Sequence, residues 1–226
     1  MIVETVFMKV WCVLPYRSRE TKDIRPDGEL VDANRELVFA IKNGRAARLG
    51  AAKVIPFDRL VDAYVGKILT VEPIAVPAEV TVVPVPRSGA SAPAHAAIAD
   101  HYPCRTVAER IGEWTGAAAR EALVRKAPRT LKHSIAANVR DLVLVGPTPA
   151  TRRVLLVDDT LTTGATLVAC AIVLRRAGFR GEICALCAGR TVDRRDAEVA
   201  QPKHIIVEVR WDGESDRPQA STIGTW

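Results

Sequence analysis

The chain has 226 residues, with a hydrophobic content of 48% and a charged content of 26%, as in an ordinary globular protein. This composition excludes a disordered, collagen-like or repeat protein, and the length suits one domain with its own core. The formal net charge of +6 favours an anionic partner, either a phosphorylated small molecule or a nucleic acid. The basic residues are dispersed and are not interleaved with aromatic residues, so nucleic-acid binding has only weak support.

The first part of the chain predicts a strand followed by helices that cover the core. Residues 5–14 are rich in β-branched and aromatic side chains, and Pro15 is expected to end this strand. A helix is expected to end at Asn43-Gly44, and two further helical pieces are separated at Pro56.

Strands and helices alternate through the rest of the chain. The predicted strands are 81–85, 154–157, 183–188 and 204–209, and the predicted helices are 90–101, 106–114 and 166–177. Such alternation predicts an α/β fold, in which a mostly parallel central sheet is flanked by helices.

The cysteines and the apolar segments indicate a cytoplasmic protein. Five cysteines scattered over a medium-sized chain do not fit a disulfide framework. Cys184 and Cys187 form a lone C-x-x-C in a strand-like apolar run, where we expect core thiols that point to opposite faces. The longest apolar runs are far shorter than the roughly 20 residues of a membrane-spanning helix. The N-terminus lacks the features of a signal peptide, so no membrane association is expected.

The motif with most functional information is V-L-L-V-D-D-T-L-T-T-G-A-T at residues 154–166. An apolar strand delivers Asp158 and Asp159 to its carboxyl end, where open α/β sheets bind ligands. A helix then begins, and its unpaired backbone N–H groups and its dipole attract an anion such as phosphate. Two adjacent carboxylates would bind sugar hydroxyls or a hard cation such as Mg²⁺, so the motif suits a ribose 5-phosphate. The alternative is a simple helix cap, although one aspartate would suffice for that.

This stretch resembles the phosphoribosyl pyrophosphate (PRPP) loop of type I phosphoribosyltransferases: four apolar residues, two acids, two variable residues and T-T-G-x-T. The resemblance implies that Asp158 and Asp159 hold the ribose hydroxyls and take part in catalysis, with Mg²⁺ bound there mainly through ribose and pyrophosphate. It also implies a site for the 5-phosphate, formed by Thr162, Thr163, Gly164, Ala165 and Thr166. The implied fold is Rossmann-like, with a small variable hood that recognises the acceptor.

Two further stretches support the same resemblance. V-V-P-V-P-R-S-G at residues 82–89 is similar to the family's strand and pyrophosphate loop, and implies that Arg87, Ser88 and Gly89 bind the diphosphate. The basic stretch 125–133 lies where the family carries a flexible loop over the diphosphate, with Lys126 and Arg129 as catalytic candidates. The alternatives are an ordinary strand-to-helix turn and a solvated basic loop.

Within the family, the chain is most similar to ComF-like, amidophosphoribosyltransferase-like proteins, a group linked to DNA uptake. The similarity spans about residues 37–191 and includes A-I-K-N-G-R at 40–45. It implies one phosphoribosyltransferase-like domain over residues 1–226, with a PRPP-binding core at about 80–191. Residues 1–35 and 209–226 are the candidates for the hood or a flap.

These features together predict a Mg²⁺-dependent phosphoribosyltransferase. It would transfer ribose 5-phosphate from PRPP to a small nitrogenous acceptor, either a base or an amine, and release pyrophosphate. The alternatives are a non-catalytic regulator that senses PRPP or a nucleotide, and an accessory protein of DNA uptake. A homodimer is a further expectation.

Overall fold

A computed structural model describes residues 5–16, 28–50, 53–70, 77–86, 102–126, 134–191 and 205–225. They form an α/β fold with a seven-stranded central sheet flanked by helices. The described strands are β1 (Val6–Tyr16), β2 (Ala47–Leu49), β3 (Lys53–Ile55), β4 (Val80–Pro84), β5 (Ala118–Ala119), β6 (Leu123–Arg125), β7 (Leu142–Leu144), β8 (Arg153–Leu161), β9 (Glu182–Thr191), β10 (Ile205–Trp211) and β11 (Gln219–Thr225). The described α-helices are α1 (Gly28–Asn43), α2 (Phe57–Leu69), α3 (Pro103–Thr115), α4 (Ile135–Asp141) and α5 (Ala165–Arg176).

The strand order in the central sheet is β11-β10-β1-β9-β8-β4-β5. The neighbouring strands β1, β9, β8, β4 and β5 pair with one another in parallel, whereas β10 is antiparallel to both of its neighbours, β1 and β11. The predicted mostly parallel sheet is therefore confirmed. The carboxyl ends of β1, β9, β8 and β4 lie along the same edge of the sheet, which is where an open α/β sheet binds its ligands.

Both faces of the sheet are covered, which explains why its central strands are apolar along their length. All five residues of β4 are buried, and one hydrophobic cluster packs on each face. Cys187 belongs to one cluster and Cys184 to the other, so the predicted opposite orientation of these thiols is confirmed. All five cysteines are buried and none forms a disulfide, and burial raises the pKa of Cys187 well above its usual range.

Several predicted strand boundaries are wrong, and two of them, at the ends of β1 and β8, affect the residues at the carboxyl edge of the sheet. β1 continues through Pro15 to Tyr16, because both residues still pair with β9 although proline has no N–H to donate. β8 extends to Leu161 and so includes Asp158 and Asp159, because its pairing with β9 continues to Arg190. The two carboxylates are therefore held on a strand rather than on a loop.

The two segments named as candidates for a hood or flap contain all or part of three strands of the central sheet. β1 lies inside the sheet, between β10 and β9, whereas β10 and β11 form its far edge. The turn between β10 and β11 also contacts the start of α4, where Asp216 Oδ1 accepts hydrogen bonds from Ser134 Oγ and the Ala136 N–H. Residues 1–4, 17–27 and 226 of these two segments lie outside the described residues. Among the described helices, none combines the length and the apolar composition needed to cross a membrane.

Candidate functional site

A cavity of about 420 Å³ opens at the carboxyl end of β8. The end of β8 and the start of α5 form its centre, and Asp158, Asp159 and residues 160–167 all line it. On one flank it is lined by residues that follow β4, by the start of α3 and by Arg125. On the other flank it is lined by the ends of β1 and α1.

The two aspartates are oriented by donors from the chain itself. Asp158 Oδ1 accepts a hydrogen bond from the Asp159 N–H at 2.8 Å. Asp159 Oδ1 accepts one from Thr160 Oγ1 at 2.7 Å and lies 3.5 Å from the ammonium of Lys42. Both carboxylates are half-buried at the edge of the cavity. Two oriented carboxylates of this kind can accept hydrogen bonds from vicinal hydroxyls or bind a hard cation.

The start of α5 lines the cavity with the N-terminus of a helix. Gly164 is the N-cap residue, with φ +81°, and the helix begins at Ala165. Thr163 Oγ1 accepts from the Ala165 N–H at 3.4 Å, whereas the N–H groups of the next residues in the first turn have no intrahelical partner. Such N–H groups and the helix dipole bind phosphate oxygens. The five residues predicted for the 5-phosphate, 162–166, therefore lie together in this wall.

The substitution Gly164→Ala is expected to lower the free energy of unfolding by about 1–2 kcal/mol and to weaken phosphate binding. An alanine there would be held in a left-handed backbone conformation, and its Cβ would lie 3.0 Å from Val209 Cγ1, so Val209 or the first turn of α5 must give way slightly. Gly178→Ala is the matched control, because it has φ +96° at the other end of α5 but open space around the new Cβ. Urea unfolding and titration with inorganic phosphate measure both effects. Equal phosphate affinity in the two variants would contradict a phosphate site at Gly164.

Arg125 lies in a buried strand, so its placement in a mobile basic loop is wrong. It pairs with Leu142 in the two-stranded antiparallel sheet of β6 and β7, and the following Lys126 N–H donates to the Asp141 carbonyl. The side chain is 0% exposed, yet it lines the cavity. The non-local strand pairing, which a basic sequence does not reveal, removes this guanidinium from water.

The guanidinium of Arg125 has hydrogen-bonding capacity left over. Its Nη2 donates to Asn138 Oδ1 at 3.1 Å, and its Nε donates to the Pro86 carbonyl at 3.4 Å. Nη1 is buried and has no hydrogen-bond partner among the described residues. A buried charged donor without a partner is costly, and an anionic oxygen in the cavity would remove that cost.

The start of α3 lies on the same flank of the cavity as Arg125. Pro103 is the first residue of this 13-residue helix, and Tyr102, Pro103 and Cys104 all line the cavity. The Tyr102 hydroxyl donates to the Val85 carbonyl, and burial raises the pKa of Tyr102 well above its usual range. The phenol therefore stays protonated and ties the helix start to the end of β4. This flank combines a helix N-terminus with a buried cation, which favours anions.

The structure brings together only part of the predicted site. Asp158, Asp159 and residues 162–166 line one cavity. Lys126 is exposed and lies beside the cavity wall rather than in it. Arg87, Ser88, Gly89 and Arg129 lie outside the described residues.

Sequence reasoning missed the flank formed by Tyr16, Lys42 and Asn43. These residues end β1 and α1 and line the cavity opposite Arg125. The sequence signal for this flank is the A-I-K-N-G-R stretch at 40–45, which contains Lys42 and Asn43 and is part of the family resemblance. Lys42 and Asp159 are 117 positions apart in the chain, so no local pattern could pair them.

Close packing and an ion pair hold the end of α1 against the sheet. A Cβ at Gly189 of β9 would lie 2.6 Å from Val38 Cγ2, so α1 approaches the sheet closely there. After the helix, Arg45 donates from Nη1 and Nη2 to Glu36 Oε1 and Oε2, at 2.6 and 2.9 Å. These hydrogen bonds lower the pKa of Glu36 to about 2, so the pair persists at neutral pH. Lys42 lies in the chain between Glu36 and Arg45, so this packing and ion pair help to hold the end of α1 beside the cavity.

Two comparisons of the sequence with known proteins were negative. No family model matches the chain, and no curated protein matches it either. The similarity to phosphoribosyltransferases therefore depends on the motifs quoted above.

Proposed function

We propose that this chain is a cytoplasmic phosphoribosyltransferase that uses PRPP and Mg²⁺. One observation carries the proposal: a pair of carboxylates lines the same cavity as two groups of hydrogen-bond donors that suit anions. The start of α5 forms one group, and Arg125 with the start of α3 forms the other. PRPP carries the matching set of groups, a ribose diol together with a 5-phosphate and a 1-diphosphate.

Each group of donors has a distinct task in this proposal. The threonines and N–H groups at the start of α5 hold the 5-phosphate, and Asp158 and Asp159 accept hydrogen bonds from the ribose hydroxyls. Negative charge grows on the diphosphate as its bond to C1 breaks, and the already desolvated Arg125 stabilises that charge. The acceptor nitrogen forms the new bond to C1 and loses a proton, and pyrophosphate leaves.

The residues present fit Mg²⁺ only together with a bound ligand. Asp158 and Asp159 offer the hard oxygen atoms that Mg²⁺ prefers. Within the described ranges, however, no three His, Cys, Asp or Glu side chains come together as a metal site. The two aspartates would therefore share the ion with oxygen atoms of ribose and diphosphate, and the ion would supply further charge neutralisation.

Thermal unfolding in the presence of ligands tests this proposal. Mg²⁺-PRPP at 100 times its Kd should stabilise the protein by about 2.7 kcal/mol, which gives a clear rise in Tm. Ribose 5-phosphate and pyrophosphate each fill part of the cavity and should give smaller shifts. No shift with Mg²⁺-PRPP would refute the proposal. A shift with nucleoside monophosphates alone would instead favour a nucleotide-sensing regulator.

A further inference from the structure

The flank of the cavity opposite Arg125 is where an acceptor would bind, if the proposed function holds. The sheet order places β4 on one side of β8, and β9 and then β1 on the other side. Arg125 donates to Pro86, just after β4, whereas Tyr16 ends β1 and Lys42 lies near the end of α1. With the diphosphate held near Arg125, an acceptor reaches the other face of C1 from the side of Tyr16 and Lys42.

Hydrogen-bond donors dominate this flank, and one of them is charged. The Tyr16 hydroxyl accepts from Thr191 Oγ1 at 3.1 Å, which leaves its own proton for another acceptor. The Lys42 ammonium lies 3.5 Å from Asp159 and its side chain is 42% exposed, so it can still donate toward the cavity. Asn43 Nδ2 is already bonded to the Phe39 carbonyl at 2.7 Å. A phenol and an ammonium together match an anionic oxygen.

We propose that Tyr16 and Lys42 bind a carboxylate group of the acceptor, so that the acceptor is a carboxylated nitrogen base or amine. In the free protein Lys42 partly neutralises Asp159. Once the ribose hydroxyls and the cation engage the aspartates, the remaining N–H groups of Lys42 face the acceptor. A neutral acceptor would leave this ammonium without an anionic partner on the acceptor side.

Pairs of ring compounds with and without a carboxylate test the inference. The probes are orotate against uracil, nicotinate against nicotinamide, and anthranilate against aniline, with pyrophosphate release measured in the presence of Mg²⁺-PRPP. In the native protein we expect a carboxylated member to be preferred by at least ~10-fold in kcat/KM. Lys42→Met should reduce this preference ~10- to 100-fold, the effect of one charge-assisted hydrogen bond. Lys42→Arg should keep most of the preference, and Tyr16→Phe should reduce it less than Lys42→Met.

A control variant and three possible outcomes separate acceptor binding from other effects. Lys53→Met is the matched control, since Lys53 is an exposed residue of β3 outside the cavity lining. If Lys42 only orients Asp159, Lys42→Met will slow transfer to both members of a pair equally, and the inference is overturned. The inference is also overturned if Mg²⁺-PRPP raises the Tm of the native protein but no carboxylated probe serves as an acceptor. If Mg²⁺-PRPP gives no Tm shift, the proposed function itself fails and this inference fails with it.

Discussion

The double substitution Asp158→Asn, Asp159→Asn is expected to lower phosphoribosyl transfer by ~10³-fold or more without unfolding the protein. One preorganised electrostatic group is worth 10²–10³ in rate, and here two such groups are removed together. The protein should still fold, because the asparagine side-chain oxygens can accept the same two hydrogen bonds, from the backbone N–H of residue 159 and from Thr160 Oγ1. Steady-state transfer, together with circular dichroism and thermal unfolding of the ligand-free variant, measures both parts.

A carboxylate at the opposite edge of the sheet provides the control. Glu182 begins β9 at its amino end, and its Oε2 lies 2.8 Å from Arg153 Nε on the surface. Glu182→Gln removes one charge and one exposed ion pair, so transfer should remain near the native rate. Transfer in the double variant within tenfold of the native rate would show that the two aspartates do not hold the substrate.

The fold class and the centre of the site were predictable because their signals are local. Strand and helix periodicity alternate along the chain, and this alternation was enough to predict a mostly parallel sheet. Residues 154–166 contain the strand, the two acids and the helix start in one uninterrupted stretch. The two acids are expected at the carboxyl edge of the sheet because they stand at the end of a strand, just before a helix begins. The site centre thus needs no knowledge of distant contacts.

The two flanks of the cavity were not predictable because they depend on contacts between distant segments. Arg125 precedes several basic residues and so suggested a solvated loop, but its burial depends on β7 and on Asn138, 13 positions away. Lys42 reaches Asp159 only because α1 packs against β1, β9 and β8. The extension of β1 past Pro15 likewise depends on pairing with β9. Tertiary pairing overrides local pattern at each of these positions.

The substitution Arg125→Met is expected to weaken Mg²⁺-PRPP binding ~10- to 100-fold while changing the stability of the ligand-free protein by no more than about 1 kcal/mol. Methionine fills much of the same volume but removes the buried charge. Asn138 Oδ1 loses the hydrogen bond from Arg125 Nη2, which lowers stability. Asn138 stays anchored, because its Nδ2 still donates to the Ser134 carbonyl at 2.6 Å. The loss is offset because a desolvated cation with an unpaired N–H is also removed.

Urea unfolding with and without Mg²⁺-PRPP measures this combination, and Arg140→Met is the control. Arg140 is a neighbouring arginine with a side chain that is 72% exposed, so its replacement should change neither quantity. A buried residue that serves only packing would behave differently, since its loss typically lowers stability by about 2–5 kcal/mol. If Arg125→Met unfolds the protein to that extent and the remaining folded fraction binds Mg²⁺-PRPP normally, Arg125 is structural. If the ligand-free variant is as stable as the native protein but is no longer stabilised by Mg²⁺-PRPP, the buried guanidinium binds the anionic ligand.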